Sequence, residues 1–310
     1  MNELELIRKL TPLLPANDQV VAGAGDDCAV LDVGLANQWL LFKTDSIVEG
    51  IHFEKNAPPE KVGHKALARA LSDIAAMGGA PTSALVTLAL PAGFDPDYVE
   101  KIYLGMATLA RRFNVAISGG ETTSNPERLL ISVAVVGTIS KSHCARRTGA
   151  QAGDAIFVTG RLGGSLAGRH LEFEPRLKEG HWLVQHFSIH SMIDLSDGLA
   201  SDLRHLMEAA GLGAELNKAS IPISREAKLK AKTESPSSPP LLAALTDGED
   251  FELLFTVASR DAVPLLDAWK AQFPDVPLTC VGRMTTERGL KLRDRHGALT
   301  FTGHGYIHFS

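Results

Sequence analysis

Between Gly23 and Phe53 two short apolar runs are edged by carboxylates, and no other stretch restricts the chain as much. The first run, Ala29-Val30-Leu31, follows Gly25-Asp26-Asp27-Cys28. The second, Leu40-Leu41-Phe42, leads into Lys43-Thr44-Asp45-Ser46 and on to Glu49-Gly50-Ile51-His52-Phe53. Runs of this length, bounded by glycine and polar residues, read as buried strands. Strands that pair bring Asp26, Asp27 and Asp45 close together. Carboxylates gathered without partners repel, so such a group is exposed, protonated or holds cations. Hard oxygen ligands suit magnesium or manganese rather than zinc. Taken alone, Gly-Asp-Asp also suits an ordinary turn and Thr44-Asp45-Ser46 an ordinary cap. The rest of the chain has to decide.

Residues 3–14 have the pattern of a short amphipathic helix that stops near Pro15. Pro58-Pro59-Glu60 opens a second helix, with proline and an acid suited to a first turn. Val62, Ala66, Ala70, Ile74 and Met77 then recur at helical spacing, and Gly78-Gly79 ends it. Asp73 lies in this helix, two turns after Lys65 and one after Arg69. Residues 83–90 read as a strand, and Asp95-Pro96 caps a helix to about Asn114. A strand over 115–118 ends at Gly119-Gly120-Glu121-Thr122-Thr123, and another follows over 129–139. Lys141 to Gly153 is polar and basic, a crossover between domains.

Beyond it, a strand over 154–159 enters Gly160-Arg161-Leu162-Gly163-Gly164-Ser165 and then a helix. Apolar Met192-Ile193 precede Asp194-Leu195-Ser196-Asp197-Gly198, and a helix runs from Leu199 to about Ala210. Residues 230–240 are of low complexity and read as a mobile surface loop. Gly248-Glu249-Asp250 leads into a strand over 251–257, a helix, and a strand over 278–281. Strands and helices alternate throughout, so the expectation is α/β with mixed sheets, divided into an N-terminal domain 1–140 and a C-terminal domain 141–310.

Composition excludes several classes. At 310 residues two domains are the natural division. A net charge of −5 offers no general attraction to nucleic acid or an anionic membrane. The residues from Ile74 to Phe94 carry no charge over a length that would span a bilayer, but Gly78-Gly79-Ala80-Pro81 and Pro91-Ala92-Gly93 break them into a helix end and a strand. Three widely spaced cysteines argue against a disulfide framework or a zinc knuckle. With no signal-peptide pattern at the N-terminus, a cytoplasmic protein is expected.

Nine acids stand at element ends beside glycine or hydroxyl residues: Asp26, Asp27, Asp45, Asp73, Glu121, Asp194, Asp197, Glu249 and Asp250. Acids on solvated faces come mixed with lysine and scattered along helices. So many at turns point to a shared site for polyvalent cations, and such a site fits phosphoryl transfer, whose catalysis is largely positioning and charge neutralisation. No Gly-x4-Gly-Lys-Ser/Thr is present, no kinase glycine loop and no Gly-x-Ser-x-Gly. Gly160 to Ser165 is either a phosphate-binding loop at a helix start or a tight strand-to-helix turn.

Gly25-Asp26-Asp27-Cys28-Ala29-Val30, Lys43-Thr44-Asp45-Ser46-Ile47-Val48-Glu49-Gly50-Ile51-His52-Phe53 and Leu71-Ser72-Asp73-Ile74-Ala75-Ala76-Met77-Gly78-Gly79 closely resemble the thiamine-monophosphate kinase family. So do Gly119-Gly120-Glu121-Thr122, Arg147-Thr148-Gly149-Ala150, Asp194-Leu195-Ser196-Asp197-Gly198-Leu199 and Gly248-Glu249-Asp250-Phe251-Glu252-Leu253, in the family's order across nearly the whole chain. The resemblance implies the aminoimidazole-ribonucleotide-synthetase-like fold: two α/β domains, a homodimer formed through the first, and ATP between them. It implies the ATP- and Mg²⁺-dependent conversion of thiamine monophosphate to thiamine diphosphate, by direct transfer without a protein nucleophile. Carried over by position, it makes Asp27, Thr44, Asp45, Asp73, Glu121 and Asp194 ligands of several Mg²⁺ ions, with Asp197 near a further one. Gly120, Glu121, Arg147 and Ser196 would contact ATP; His52 and Glu249 would contact the thiamine substrate. The family usually has Asp where this chain has Glu121. Near the C-terminus it often sets an aromatic against the substrate, where this chain has Gly303 with Phe301 and Tyr306 nearby. The alternatives are another ATP-dependent synthetase of the same superfamily, or a non-catalytic thiamine-phosphate binding protein, which would be expected to lose the metal acids.

Overall fold

In the computed structural model, which describes residues 3–233 and 239–306, α2 is the element against which both halves of the chain pack. The first half comprises α1 (Glu3–Leu10), β1 (Val20–Ala22), β2 (Ala29–Leu31), β3 (Gln38–Val48), α2 (Pro59–Ala76), β4 (Ala80–Leu90), α3 (Pro96–Arg112), β5 (Ala116–Ser124) and β6 (Leu130–Ser140). Its strands form one sheet in the order β1-β2-β3-β6-β4-β5, antiparallel except where β4 meets β5. The second half comprises β7 (Ala155–Thr159), α4 (Leu177–His186), β8 (Ile189–Asp194), α5 (Leu199–Ala210), β9 (Gly213–Asn217), α6 (Arg225–Thr233), α7 (Pro240–Thr246), β10 (Leu253–Val257), α8 (Ala262–Gln272), β11 (Leu278–Thr285), β12 (Gly289–Asp294) and β13 (Gly297–Thr300). These strands form a sheet in the order β13-β12-β9-β11-β7-β10-β8, in which the β12–β9 pair is parallel.

The two sheets are buried differently. In β6 burial alternates residue by residue, so one face packs on helices and the other is open. In β7 and β10 every residue is buried, because Phe157 and Phe255 face the core shared with α2, while Ile156, Val158 and Leu254 face α5 and α7. Helix α2 packs against β3 and β6 on one side and α4 and β8 on the other, so nearly all of its surface is interior. Small residues permit that crowding. A side chain at Gly63 would strike the Ile102 carbonyl of α3, and one at Gly105 of α3 would strike the Glu60 carbonyl of α2.

Several local expectations change. β5 does not stop before Gly119 but continues to Ser124, because Gly119 and Gly120, at φ 142° and 156°, absorb a bulge and restore pairing with β4. After Gly160 no α-helix starts directly. Two 3₁₀ turns, Ser165–Ala167 and Arg169–Leu171, are separated by Gly168 at φ 127°, and the helix begins at Leu177. Strand β10 begins at Leu253 rather than 251, since Phe251 is left-handed at φ 51°. Lys230 to Thr233 complete α6 instead of opening a loop; residues 234–238 of that stretch lie outside the described residues. The uncharged segment from Ile74 divides between α2 and β4, and no described helix is long and apolar enough to cross a membrane.

Candidate active site

Three of the acids converge. Asp27 precedes β2, Asp73 comes from the last turns of α2, and Asp194 ends β8; a carboxylate oxygen from each lies within 4.8 Å of the others. All three residues are buried. The Arg147 guanidinium donates to Asp27 Oδ1 at 2.7 Å, and the Arg147 backbone N–H to Asp26 Oδ1 at 2.7 Å. Lys43 Nζ lies 2.8 Å from Asp73 Oδ1, and Ser72 Oγ donates to Asp194 Oδ2 at 2.6 Å. The second oxygen of Asp27 is buried with no hydrogen-bond partner. Burial, the Asp194 charge and other nearby acids push the Asp73 carboxyl far above the usual range, although Lys43 opposes them. Burial and the charge of Asp27 raise Asp194 to about 6. An all-oxygen set that is mutually repelling, with one oxygen lacking a donor, fits a divalent cation such as Mg²⁺.

Beside this cluster is a cavity of about 100 Å³ that brings together His52, Ser196, Asp197 and Glu249 with Lys65 and Arg69. Lys65, Arg69 and Asp73 are one stripe of α2 at i, i+4 and i+8. Lys65 is fully buried; its ammonium donates to the His52 carbonyl at 2.6 Å, pairs with Glu249 and sits 2.8 Å from His170 Nδ1. Arg69 donates to Asp45 through Nε at 2.9 Å and to Glu249 through Nη1 at 3.2 Å. Burial alone would raise the Glu249 carboxyl, but His170, Lys65 and Arg69 hold it at about 2. Its charge is therefore already balanced by two cations. Glu249 and Phe251, at φ 56° and 51°, are both in the left-handed region, the kind of strain that collects at functional sites. The Val48 N–H donates to His52 Nδ1 at 3.0 Å, which leaves the proton of the neutral ring on Nε2.

Other candidates stand apart. Asp197 joins a second group with Asp202 and His205, and its N–H donates to Asp202 Oδ2 at 3.1 Å. Thr44 and Glu121 are on the open face of the first sheet, while Asp45 and Lys43 point to the α2 side. Ser46, Ser132, Thr87 and Glu121 stand in one row across β3, β6, β4 and β5. Three strand spacings, about 14 Å, thus separate Glu121 from β3. Gly120 and Glu121 line a different cavity, of about 570 Å³, with Tyr103 and Leu104 of α3.

The open choice at Gly160 to Ser165 also resolves. The Gly163 N–H donates to Asp250 Oδ2 at 2.9 Å and the Gly164 N–H to Asp247 Oδ2 at 3.0 Å. Donors already held by carboxylates do not cradle a phosphate, so this is a strand-exit turn. Motif and spacing do not mark Lys43, Lys65, Arg69 or Leu166 as site residues and set Tyr306 only near the pocket; Leu166 and Tyr306 both line the smaller cavity. One signal for the bases was present: charges four residues apart leading to Asp73 inside an otherwise apolar helix.

The family model for AIR synthase related protein, N-terminal domain, matches residues 25–139. A thiamine-monophosphate kinase of Rhodopirellula baltica is 41% identical over 295 residues, covering 93% of this chain and 90% of that protein. One of Bacillus subtilis is 33% identical over 335 residues, with 100% of both covered. The chain belongs to the thiamine-monophosphate kinase family. Family resemblance extends to the fold: a solved structure of AaThiL complexed with AMPPCP and TMP matches with a TM-score of 0.84 at 29% identity, covering 99% of this chain and 97% of that one. A HypE–HypF complex structure, at 18% identity and a TM-score of 0.76, shares the fold alone.

Proposed function

We propose that this chain transfers the terminal phosphoryl group of ATP to thiamine monophosphate, giving thiamine diphosphate, at a magnesium centre built on Asp27, Asp73 and Asp194. The observation that carries the reading is their convergence within 4.8 Å, with one buried Asp27 oxygen lacking any donor. Bound there, Mg²⁺ would supply the positive charge that lets two anionic phosphates approach in line. Asp45 and Asp197 flank the centre. Arg147, held by Asp26 and Asp27, directs its guanidinium to the nucleotide phosphates, beside Ser196. His52 and Glu249 face the thiamine moiety in the cavity, with Tyr306 at its edge. No protein nucleophile is needed, because the acceptor phosphate is itself the attacking group.

The open face of the first sheet supports a homodimer. Phe42 and Leu85, 46% and 51% exposed, stand on it, and no element among the described residues covers them. A second copy docked there would bury them and bring Thr44, Gly120 and Glu121 to an interface. We divide the chain into its two domains at the connection after residue 140, where the first sheet ends, and place it in the cytoplasm, where its three free cysteines would stay reduced. The test is the purified chain with ATP, Mg²⁺ and a panel of acceptors, scored for ADP and for thiamine diphosphate. The reading expects product with thiamine monophosphate and none without Mg²⁺. Turnover of ATP with another acceptor but never with thiamine monophosphate would refute it.

A further inference from the structure

The three converging carboxylates face two cationic side chains, and these are held very differently. Arg147 is clamped: its guanidinium binds Asp27 while its own backbone N–H is tied to Asp26. Among the described residues, the Lys43 ammonium pairs with Asp73 at 2.8 Å, and its side chain is 26% exposed. It comes from β3, where its register partner is the buried Val135, so the side chain is directed to the helix-covered face. A lysine in that position is costly unless a carboxylate meets it. Its four-carbon stem and compact charge let it leave and return, whereas the Arg147 backbone is anchored to Asp26 at the edge of the cluster.

We propose that Lys43 is a resident cation of the acid cluster: its ammonium holds Asp73 until a divalent ion takes the carboxylate and displaces it. The proposal rests on the reading of the cluster as a metal site, supported by the buried Asp27 oxygen without a donor. It goes further in making metal loading a competition. In the metal-free chain, Lys43 offsets repulsion within the cluster and keeps Asp73 aimed. Once displaced, the ammonium stays within reach of Asp45 and the cluster, and lends its charge to whatever anion arrives with the ion.

The test is a calorimetric titration of the metal-free chain with Mn²⁺, comparing wild type, Lys43→Met and Lys43→Arg. Removing a competing unit charge a few ångströms from the ion should tighten binding by about tenfold or more in K43M, while K43R should remain within roughly threefold of wild type. Equal or weaker Mn²⁺ binding in K43M overturns the proposal. If neither wild type nor variant binds Mn²⁺, the cluster is not a metal site, and the proposal falls together with the reading beneath it. Should K43M melt too low to titrate, lysine acylation of the wild-type chain, read by peptide mass spectrometry, decides. Lys43 labelling that rises on adding saturating Mg²⁺ supports displacement, and unchanged labelling overturns it.

Discussion

Asp250 and Glu252 differ from Asp27, Asp73 and Asp194 in how their charge is met. Asp250 accepts from the Gly163 N–H through both oxygens and from Arg169 at 2.6 Å. Glu252 takes Arg176 in a two-pronged pair, 2.7 Å on each oxygen, and the Thr159 hydroxyl at 2.7 Å. Every one of these oxygens has a donor, and the result is mechanical: the stretch from Gly160 to Arg176 is pinned to the start of β10. In the converging trio an oxygen is left over, and the charge is only partly offset by Lys43 and Arg147. Both groups are buried. Buried acids that are fully matched build structure, whereas a surplus of unmatched acid is what binds.

The largest expected effect falls on the structural side. Glu252→Gln leaves the Arg176 guanidinium, only 17% exposed, without its two-pronged partner and with only the more distant Glu179 carboxylate, 3.7 Å away. Breaking a buried pair from one side costs about 3 kcal/mol or more. Urea unfolding should show that loss, while the folded fraction keeps its Mg²⁺-dependent rise in Tm. If the variant unfolds like wild type but fails to respond to Mg²⁺, the division between the two groups is wrong.

Asp73→Asn should do the reverse. The Asn side chain removes the cost of burying the Asp73 charge beside Asp194, which offsets the pairing that Lys43 loses; Lys43, 26% exposed, keeps Asp45 and Asp27 as nearby counter-charges. The variant's metal-free stability should stay within about 1 kcal/mol of wild type. Catalysis loses a charge at the reacting phosphates, worth roughly 10²–10³ in kcat. The Mg²⁺-dependent gain in Tm should vanish with it. A fully active D73N would remove the metal centre from the proposed mechanism.

How far this contrast was legible depends on distance along the chain. Helix α2, with its proline start and Gly78-Gly79 stop, and the place of Asp27 just before β2 follow from local pattern; Asp45, read as closing its strand, is inside β3, which runs on to Val48. The partners that separate a matched acid from an unmatched one do not. Arg169 and Arg176 reach Asp250 and Glu252 across 81 and 76 residues, and no periodicity announces that pairing. Thr44 and Asp45 are consecutive on β3, and a strand sends consecutive side chains to opposite faces. Resemblance by motif assigns both to one metal set, and side-chain direction alone gives only Asp45 to the side of the cluster.

Glu249 is intermediate, matched in charge yet facing the cavity, and Glu249→Gln should have an intermediate effect. Its carboxyl is held at about 2 against an ordinary 4.5, so the stability it contributes is fully present above pH 4.5 and is lost as pH falls toward 2. The Gln variant should therefore be less stable at neutral pH and show a flatter decline between about pH 4.5 and 3. Because Lys65 and Arg69 already neutralise it, Glu249 meets the substrate as an oriented acceptor more than as a free counter-charge. The KM for thiamine monophosphate should rise by the equivalent of about 1–3 kcal/mol, with less change for ATP. A larger rise for ATP would move Glu249 to the nucleotide side.

The smallest effect is expected at Glu121, an acid of a third kind, neither matched nor crowded. It is exposed on the open face of the first sheet, with β6 and β4 between its strand and β3. Within one chain its register directs it away from the cluster on the opposite side of that sheet. Glu121→Gln should therefore leave metal-free stability unchanged to within about 0.5 kcal/mol, as for an ordinary surface substitution. In a chain kept monomeric by Leu85→Glu on the same face, Mn²⁺ affinity should also be indifferent to E121Q. The dimer is the sensitive case. If E121Q weakens Mn²⁺ binding in the dimeric protein and not in the monomeric one, the carboxylate joins a metal site only when a second copy covers this face. Weakening in both would mean that Glu121 reaches the metal around the edge of its own sheet, and the separation of the two faces would no longer hold.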